Sequence, residues 1–284
     1  VKAQIRSAVK ELRSDKERGA RQLALAALEA LASVAGDGRD EFRESARALA
    51  LAKPMMAAIQ NAVAIAWSNC EAGAEPAVAV ADAIDAIEVA PEGMAIAGRK
   101  AIPGDTVMTY SYSSTVSELL SRLKPRRAII SEARPLGEGI RLARELRSAG
   151  IAVTFITEAQ MALFVQEADA VVVGADTVLP DGDLINKIGT RLLALAARDA
   201  EVPFYSATET LKVAAPSAPL PFAPEEGRGR EITSVRWLEV RNVYFEATPA
   251  RLISGYITEE GLVQPNKVRP FAKRADDNWR ALML

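Results

Sequence analysis

Apolar positions change their rhythm once along this chain. Through the first hundred residues they recur at helical spacing within runs rich in alanine, leucine, glutamate and arginine. Leu23, Leu25, Ala27, Leu28 and Leu31 fill one helical stretch, stopped by Gly36-Asp37-Gly38. A second runs from Asp40 to Ala52 and breaks near Pro54; a third covers Met55 to Trp67. A fourth starts at Pro76, a good first-turn residue, and continues toward Gly98.

From Asp105 onward, short β-branched or apolar runs alternate with helical segments. Thr106–Tyr110, Ala128–Ile130, Ala152–Ile156, Ala170–Val173 and Pro203–Tyr205 read as buried strands. Between them Thr115–Leu123, Gly139–Arg147, Ala159–Val165 and Lys187–Arg198 read as helices. This alternation predicts an α/β fold: an N-terminal helical domain, 1–103, then a Rossmann-like doubly wound parallel sheet, 104–284. Pro216, Pro219, Pro221, Pro224, Gly227 and Gly229 mark a long irregular loop, after which strand-like sequence resumes at Val243–Phe245 and Leu252–Ile257.

Composition narrows the chemistry. The 284 residues are 49% hydrophobic and 25% charged with net charge −2, which gives no reason to expect nucleic acid or an anionic membrane as partner. No uninterrupted apolar run reaches the roughly 18 residues of a membrane span, and the first turns are charged, unlike a signal peptide. A single cysteine, Cys70, fits a reducing, cytoplasmic setting. There is no histidine, so His-based triads, His-ligated zinc and His general bases are all excluded. Carboxylates, lysines, hydroxyls and backbone groups are left, and no metal or redox cofactor is expected.

Ligands of doubly wound sheets bind at the carboxyl ends of the strands. The first strand runs into Thr109-Tyr110-Ser111-Tyr112-Ser113-Ser114-Thr115, a hydroxyl-lined helix start suited to an anion, with Thr115 and Glu118 spaced as a capping box. Tyr110 and Tyr112 alternate, so one faces the pocket and the other packs. The second strand ends in Ser131-Glu132-Ala133-Arg134-Pro135-Leu136-Gly137-Glu138-Gly139. The fourth ends in Gly174-Ala175-Asp176, followed by a turn at Asp181-Gly182-Asp183 and by Asn186-Lys187-Ile188-Gly189-Thr190, which reads as a helix start. Lys212 follows Thr208-Glu209 at the fifth. One acid and two lysines thus converge on one sheet edge, as a small phosphorylated ligand requires.

These segments, with Asn242–Pro249 and Ile257-Thr258-Glu259-Glu260-Gly261, resemble a family spanning nearly the whole chain. It comprises the methylthioribose-1-phosphate isomerases, the ribose-1,5-bisphosphate isomerases and the alpha, beta and delta subunits of eukaryotic translation initiation factor 2B. In the isomerases the resemblance implies ring opening of an aldose 1-phosphate and proton transfer between C1 and C2 to give a ketose. It implies Asp176 as the acid, and substrate contacts from Arg18, Gly19, Ala20, Lys53, Ser113, Ser114, Thr115, Asn186, Lys187 and Lys212. It further implies a homodimer or higher homo-oligomer.

Three departures stand out. Ser111 occupies the position of the isomerases' proton-accepting cysteine, and an unassisted hydroxyl is a far weaker base than a thiolate. Lys53 replaces an arginine, losing the bidentate fork. Glu138 replaces a glutamine beside the substrate: it is either a first-turn acid interacting with the helix dipole or a general base standing in for the thiol. Two functions follow as expectations. One is isomerisation of ribose 1,5-bisphosphate or a related sugar phosphate, with Asp176, Ser111 and Glu138 as the catalytic candidates. The other is a non-catalytic subunit like those of the initiation factor, sensing a sugar phosphate or a nucleotide such as AMP.

Overall fold

The computed structural model describes residues 1–15, 18–219 and 226–284. Pro221 and Pro224 of the irregular loop, and two residues of the charged stretch before Arg18, lie outside these.

Five helices come first: α1 (Ala3–Ser14), α2 (Ala20–Ala32), α3 (Arg39–Ala50), α4 (Ala57–Glu71) and α5 (Pro76–Ala101). Their apolar faces, including Leu23, Leu28, Leu31, Phe42, Leu49, Ile59 and Trp67, form one core. Pro76 opens α5 in its first turn, while Pro91 lies inside that helix without ending it.

The alternating half follows as β1 (Thr106–Thr109), α6 (Ser114–Leu123), β2 (Arg127–Ser131), α7 (Gly139–Ser148) and β3 (Ala152–Ile156). Then come α8 (Met161–Phe164), β4 (Ala170–Val173), β5 (Thr177–Val178), β6 (Leu184–Lys187), α9 (Thr190–Asp199) and β7 (Phe204–Ala207). The chain closes with β8 (Phe245–Thr248), β9 (Gly255–Thr258), β10 (Gly261–Val263) and α10 (Arg269–Met283).

Seven strands form the main sheet in the order β10-β9-β7-β4-β1-β2-β3. All are parallel except β10, which pairs antiparallel with β9. Both faces are covered, and successive strand residues alternate between two apolar cores. Val171 and Val173 face α8 and α9, whereas Val172 faces α5, α6 and α7. The chain leaves β1 toward β2 and β3 and later returns on the other side through β4, β7 and β9. The order therefore reverses between β1 and β4, the crevice where such sheets hold ligands.

Several local expectations need correction. Asn186 and Lys187 do not open a helix. They end β6, which lies in a small antiparallel sheet ordered β5-β6-β8 and pairs with Phe245–Thr248. Gly189, at φ 101°, makes the turn into α9. The segment 159–165 is not one helix: α8 is a single turn flanked by 3₁₀ turns. Ser113, not Thr115, caps α6, accepting the Val116 N–H at 3.3 Å. Glu118 instead pairs with Arg21 at 2.6 Å and Arg122 at 2.9 Å.

The last helix returns to the first core. Ala275, Trp279 and Leu282 of α10 pack among α1–α5, so that core draws on both ends of the sequence. No helix among the described residues is long and apolar enough to cross a membrane.

Candidate functional site

A cavity of about 500 Å³ opens at the carboxyl edge of the main sheet. Its walls come from the start of α2, the turn before α4, the loops after β1, β2 and β4, the end of β6 and the turn after β7. The catalytic and substrate-contact candidates from the sequence all line it: Ser111, Ser113, Ser114, Thr115, Glu138, Asp176, Asn186, Lys187 and Lys212 from the sheet half, and Arg18, Gly19, Ala20 and Lys53 from the helical half.

Packing constraints put these groups there. Gly174 lets β4 run directly beside the α6 cap: a Cβ on it would lie 2.6 Å from Ser113 Oγ. Gly139 lets α7 start against β2, where a Cβ would lie 2.0 Å from the Ser131 carbonyl oxygen, and Glu138 precedes it. Thr177 Oγ1 donates to the Met55 carbonyl at 3.1 Å, which ties the turn after Lys53 to the residue after Asp176. Asn61 Nδ2 on α4 donates to the Leu211 and Val213 carbonyls at 2.7 Å each, fixing the turn that carries Lys212.

Among the described residues the lining holds six basic side chains (Arg18, Arg21, Lys53, Arg141, Lys187, Lys212) against four acidic ones (Asp15, Glu138, Asp176, Glu231), so the excess favours an anion. Two helix N-termini, at Gly19–Arg21 and Ser113–Thr115, add backbone donors. The cations already have partners. Lys187 Nζ lies 2.6 Å from Glu138 Oε1 and 5.2 Å from the centre of the Tyr244 ring. Lys212 pairs with buried Glu209 at 2.9 Å and donates to Thr115 Oγ1 at 3.3 Å. Arg18 holds Asp15 at 2.7 Å and Glu11 at 2.6 Å, and Lys53 Nζ donates to the Asp15 carbonyl at 2.6 Å. A bound phosphate would share these cations with their present partners.

Burial pushes the Asp176 carboxyl up to about 6, although Lys212, Lys187 and Lys53 pull it down; Glu138 adds to the rise. An acid so poised can give or take a proton near neutrality. Burial alone would raise Glu209 as well, but Lys212 and the Thr115 hydroxyl hold it below the usual carboxylate range.

Ser111 stands in the left-handed region at φ 63°, and its Oγ donates to Glu138 Oε1 at 3.1 Å. Glu138 Oε2 is shielded from solvent and accepts no hydrogen bond among the described residues. Asn186 reaches the cavity, but its Nδ2 donates to Thr190 Oγ1 at 3.1 Å and braces the β6–α9 turn. Tyr110 packs, its hydroxyl donating to the Ile188 carbonyl at 2.5 Å, while Tyr112 lines the cavity beneath the Arg141 guanidinium, 3.9 Å from its ring centre. Cys70 is buried in the helical core, away from the cavity. Among the described residues no group of three or more His, Cys, Asp or Glu could hold a metal.

Sequence reading missed Asp15, Arg21, Arg141, Glu231, Tyr244 and Phe245 as lining residues. Arg21 directly follows Ala20, and Arg141 sits one helical turn after Glu138, so both were within reach of local spacing. Glu231 had no local signal; its Oε2 accepts from Asn242 Nδ2 at 2.8 Å and from the Tyr244 hydroxyl.

Comparison with known proteins agrees with this architecture. The model of the "Initiation factor 2 subunit family" matches residues 16–265. A translation initiation factor eIF-2B subunit 2-like protein of Pyrococcus horikoshii is 42% identical over 57% of this chain, a segment that spans only 59% of that relative. A ribose 1,5-bisphosphate isomerase of Archaeoglobus fulgidus is 34% identical over 92% of this chain and 90% of its own length. The crystal structure of the Pyrococcus horikoshii OT3 translation initiation factor eIF-2B superimposes with a TM-score of 0.79 at 31% identity, covering 93% of this chain and 98% of that one. The chain belongs to the initiation factor 2 subunit family, whose members include both initiation-factor-like proteins and sugar-phosphate isomerases.

Proposed function

We propose that this protein is an aldose–ketose isomerase acting on a pentose 1-phosphate with a second anionic group, ribose 1,5-bisphosphate being the first compound to test. One observation carries the reading: a single cavity at the sheet's switch point joins a proton-poised Asp176 to cations from both halves of the chain. Asp176 supplies the proton that opens the sugar ring. Lys187, Lys212, Lys53, Arg18 and the two helix N-termini hold phosphate. Homology to a ribose 1,5-bisphosphate isomerase over nearly the full length supports the substrate class. The protein is incubated with ribose 1,5-bisphosphate or 5-methylthioribose 1-phosphate, and products are followed by NMR. Ketose formation from ribose 1,5-bisphosphate, abolished in Asp176→Asn, supports the reading; turnover of 5-methylthioribose 1-phosphate alone would remove the second anionic group from it, and absence of turnover with both compounds refutes it.

A second reading is favoured by Ser111 in the position of the isomerases' thiol. On it the cavity senses a sugar phosphate or AMP without converting it, and the protein acts through assembly with further subunits. Saturable binding without turnover distinguishes this reading. Assembly into a homodimer or higher homo-oligomer belongs to both readings and is measured by light scattering.

A further inference from the structure

We infer that Glu138 is the proton acceptor of the isomerisation, positioned by Ser111 and Lys187; this rests on the isomerase reading above. Elimination leads to it. The chain has no histidine, and its one cysteine is buried in the helical core. Four carboxylates among the described residues line the cavity. Asp15 engages Arg18 through both oxygens, at 2.8 Å to the backbone N–H and 2.7 Å to Nε. Glu231 is tied to Asn242 and Tyr244 in the wall. Asp176 is committed as the acid.

Glu138 remains, and its two oxygens differ. Oε1 takes the Ser111 hydroxyl at 3.1 Å and the Lys187 ammonium at 2.6 Å. Oε2 is shielded from solvent and accepts no hydrogen bond among the described residues. An unmatched acceptor is costly in a resting fold; the Glu138 side chain is 22% exposed and lines the cavity, and Oε2 must turn toward that space to take a substrate proton. A neutral serine hydroxyl is far too weak a base to take a C–H proton, and Ser111 instead donates its hydrogen to the Glu138 carboxylate. Its left-handed backbone, unusual for a residue other than glycine, holds the hydroxyl where it orients Glu138.

The proton inventory closes with two carboxyls. Asp176 protonates the ring oxygen as the C1–O bond breaks, leaving an oxocarbenium at C1 shared with the phosphate oxygen. Glu138 takes the proton from C2, and the C–H electron pair becomes the C1=C2 bond of an enol phosphate. Glu138 then returns its proton to C1 while the C2 hydroxyl gives its proton to the Asp176 carboxylate, forming the C2 ketone. C1 is reduced and C2 oxidised within one molecule, and both carboxyls end as they began.

The test uses ribose 1,5-bisphosphate in deuterated water, with turnover and C1 deuteration read by NMR and binding by calorimetry. Glu138→Gln is expected to slow turnover about a thousand-fold while binding stays within tenfold of the parent. Glu138→Asp keeps the charge but withdraws the carboxylate, and is expected to slow turnover about a hundred-fold. Combining Ser111→Cys with Glu138→Gln restores a base and is expected to recover turnover at least about tenfold over Glu138→Gln alone. An active parent with Glu138→Gln or Glu138→Asp turning over at the parent rate overturns the assignment and leaves the isomerase reading standing. A parent that turns over no aldose 1-phosphate overturns both.

Discussion

Asp176 carries a cost in the folded protein that its chemistry uses. Its carboxyl rises from the ordinary 3.8 to about 6, mainly because burial penalises the charge. Between those two values the folded state binds more protons than the unfolded chain, so stability falls as pH rises through the window, and the full cost is present above about 6. Asp176→Asn is therefore expected to stabilise the ligand-free protein at pH 7 to 8 by roughly 2–3 kcal/mol. That gain should fade toward pH 4, as chemical denaturation at a series of pH values will show. Activity runs the opposite way. Because the acid must carry its proton, log kcat/KM is expected to fall above a pKa near 6 in the free protein. A kcat/KM profile that stays flat from pH 6 to 9 would remove Asp176 from the role of acid.

Elements place the site through a few tight contacts, and these mark where local sequence was informative. Gly139 has no room for a Cβ against the Ser131 carbonyl. Gly139→Ala is expected to push the start of α7 off β2, at about 1–3 kcal/mol, and to move Glu138 away from Ser111. Turnover should then drop more than stability does, which parallel kinetics and thermal melts will resolve. Glu209 and Lys212 lie on one turn as a buried pair. Glu209→Gln leaves the ammonium without its counter-charge and is expected to destabilise by about 3–5 kcal/mol, measured by urea unfolding. The central parallel strands were legible because both their faces are buried, giving continuous runs such as Ala170–Val173; Ala152–Ile156, expected to be buried, is an edge strand with Phe155 45% exposed, and only its β-branched run marked it. The strand Leu184–Lys187 was not. Its partner is Phe245–Thr248, far along the chain, and Ile188 and Leu193 beyond it supply apolar spacing that mimics an earlier helix start. The cap of α6 misled for a similar reason: Thr115 spends its hydroxyl on Glu209, a contact that no local spacing encodes. Strand ends alone brought Asp176, Lys187, Lys212 and the hydroxyls at 113–115 to one sheet edge, whereas Arg18, Gly19, Ala20 and Lys53 were legible only through resemblance, since spacing cannot say which part of the helical half meets that edge. The pairing of Ser111 with Glu138 crosses from one strand end to another and belongs to the tertiary fold alone.

At the scale of the whole molecule, the cavity depends on the helical half keeping its place over the sheet edge. Part of that hold comes from α10. Trp279 and Leu282 fill the helical core, Trp67 Nε1 donates to the Ala281 carbonyl at 3.0 Å, and Arg47 donates to the Leu282 and Met283 carbonyls at 2.7 and 2.8 Å. Trp279 does not line the cavity, whereas Arg18 does. Stability of the frame and affinity of the site are therefore separable by mutation. Trp279→Ala is expected to lower stability by about 3–5 kcal/mol. The stabilisation added by ribose 1,5-bisphosphate should be unchanged in that variant, about 2.7 kcal/mol at one hundred times Kd. Arg18→Gln should do the reverse. Its ion pairs with Glu11 and Asp15 are partly exposed and contribute little to folding, but its loss should weaken binding by about 1.5–3 kcal/mol and so lower the ligand increment by about 1.4–2.4 kcal/mol at the same ligand concentration. Calorimetric melts of the parent, the two single variants and the double variant, each with and without ligand, give the full cycle. If Trp279→Ala abolished the ligand increment while the protein remained folded, the helical core would be part of the site itself. If Arg18→Gln left the increment intact, the Arg18 side chain would have no hold on the phosphate, and the helical half would contribute through Lys53 and the backbone of the α2 start alone.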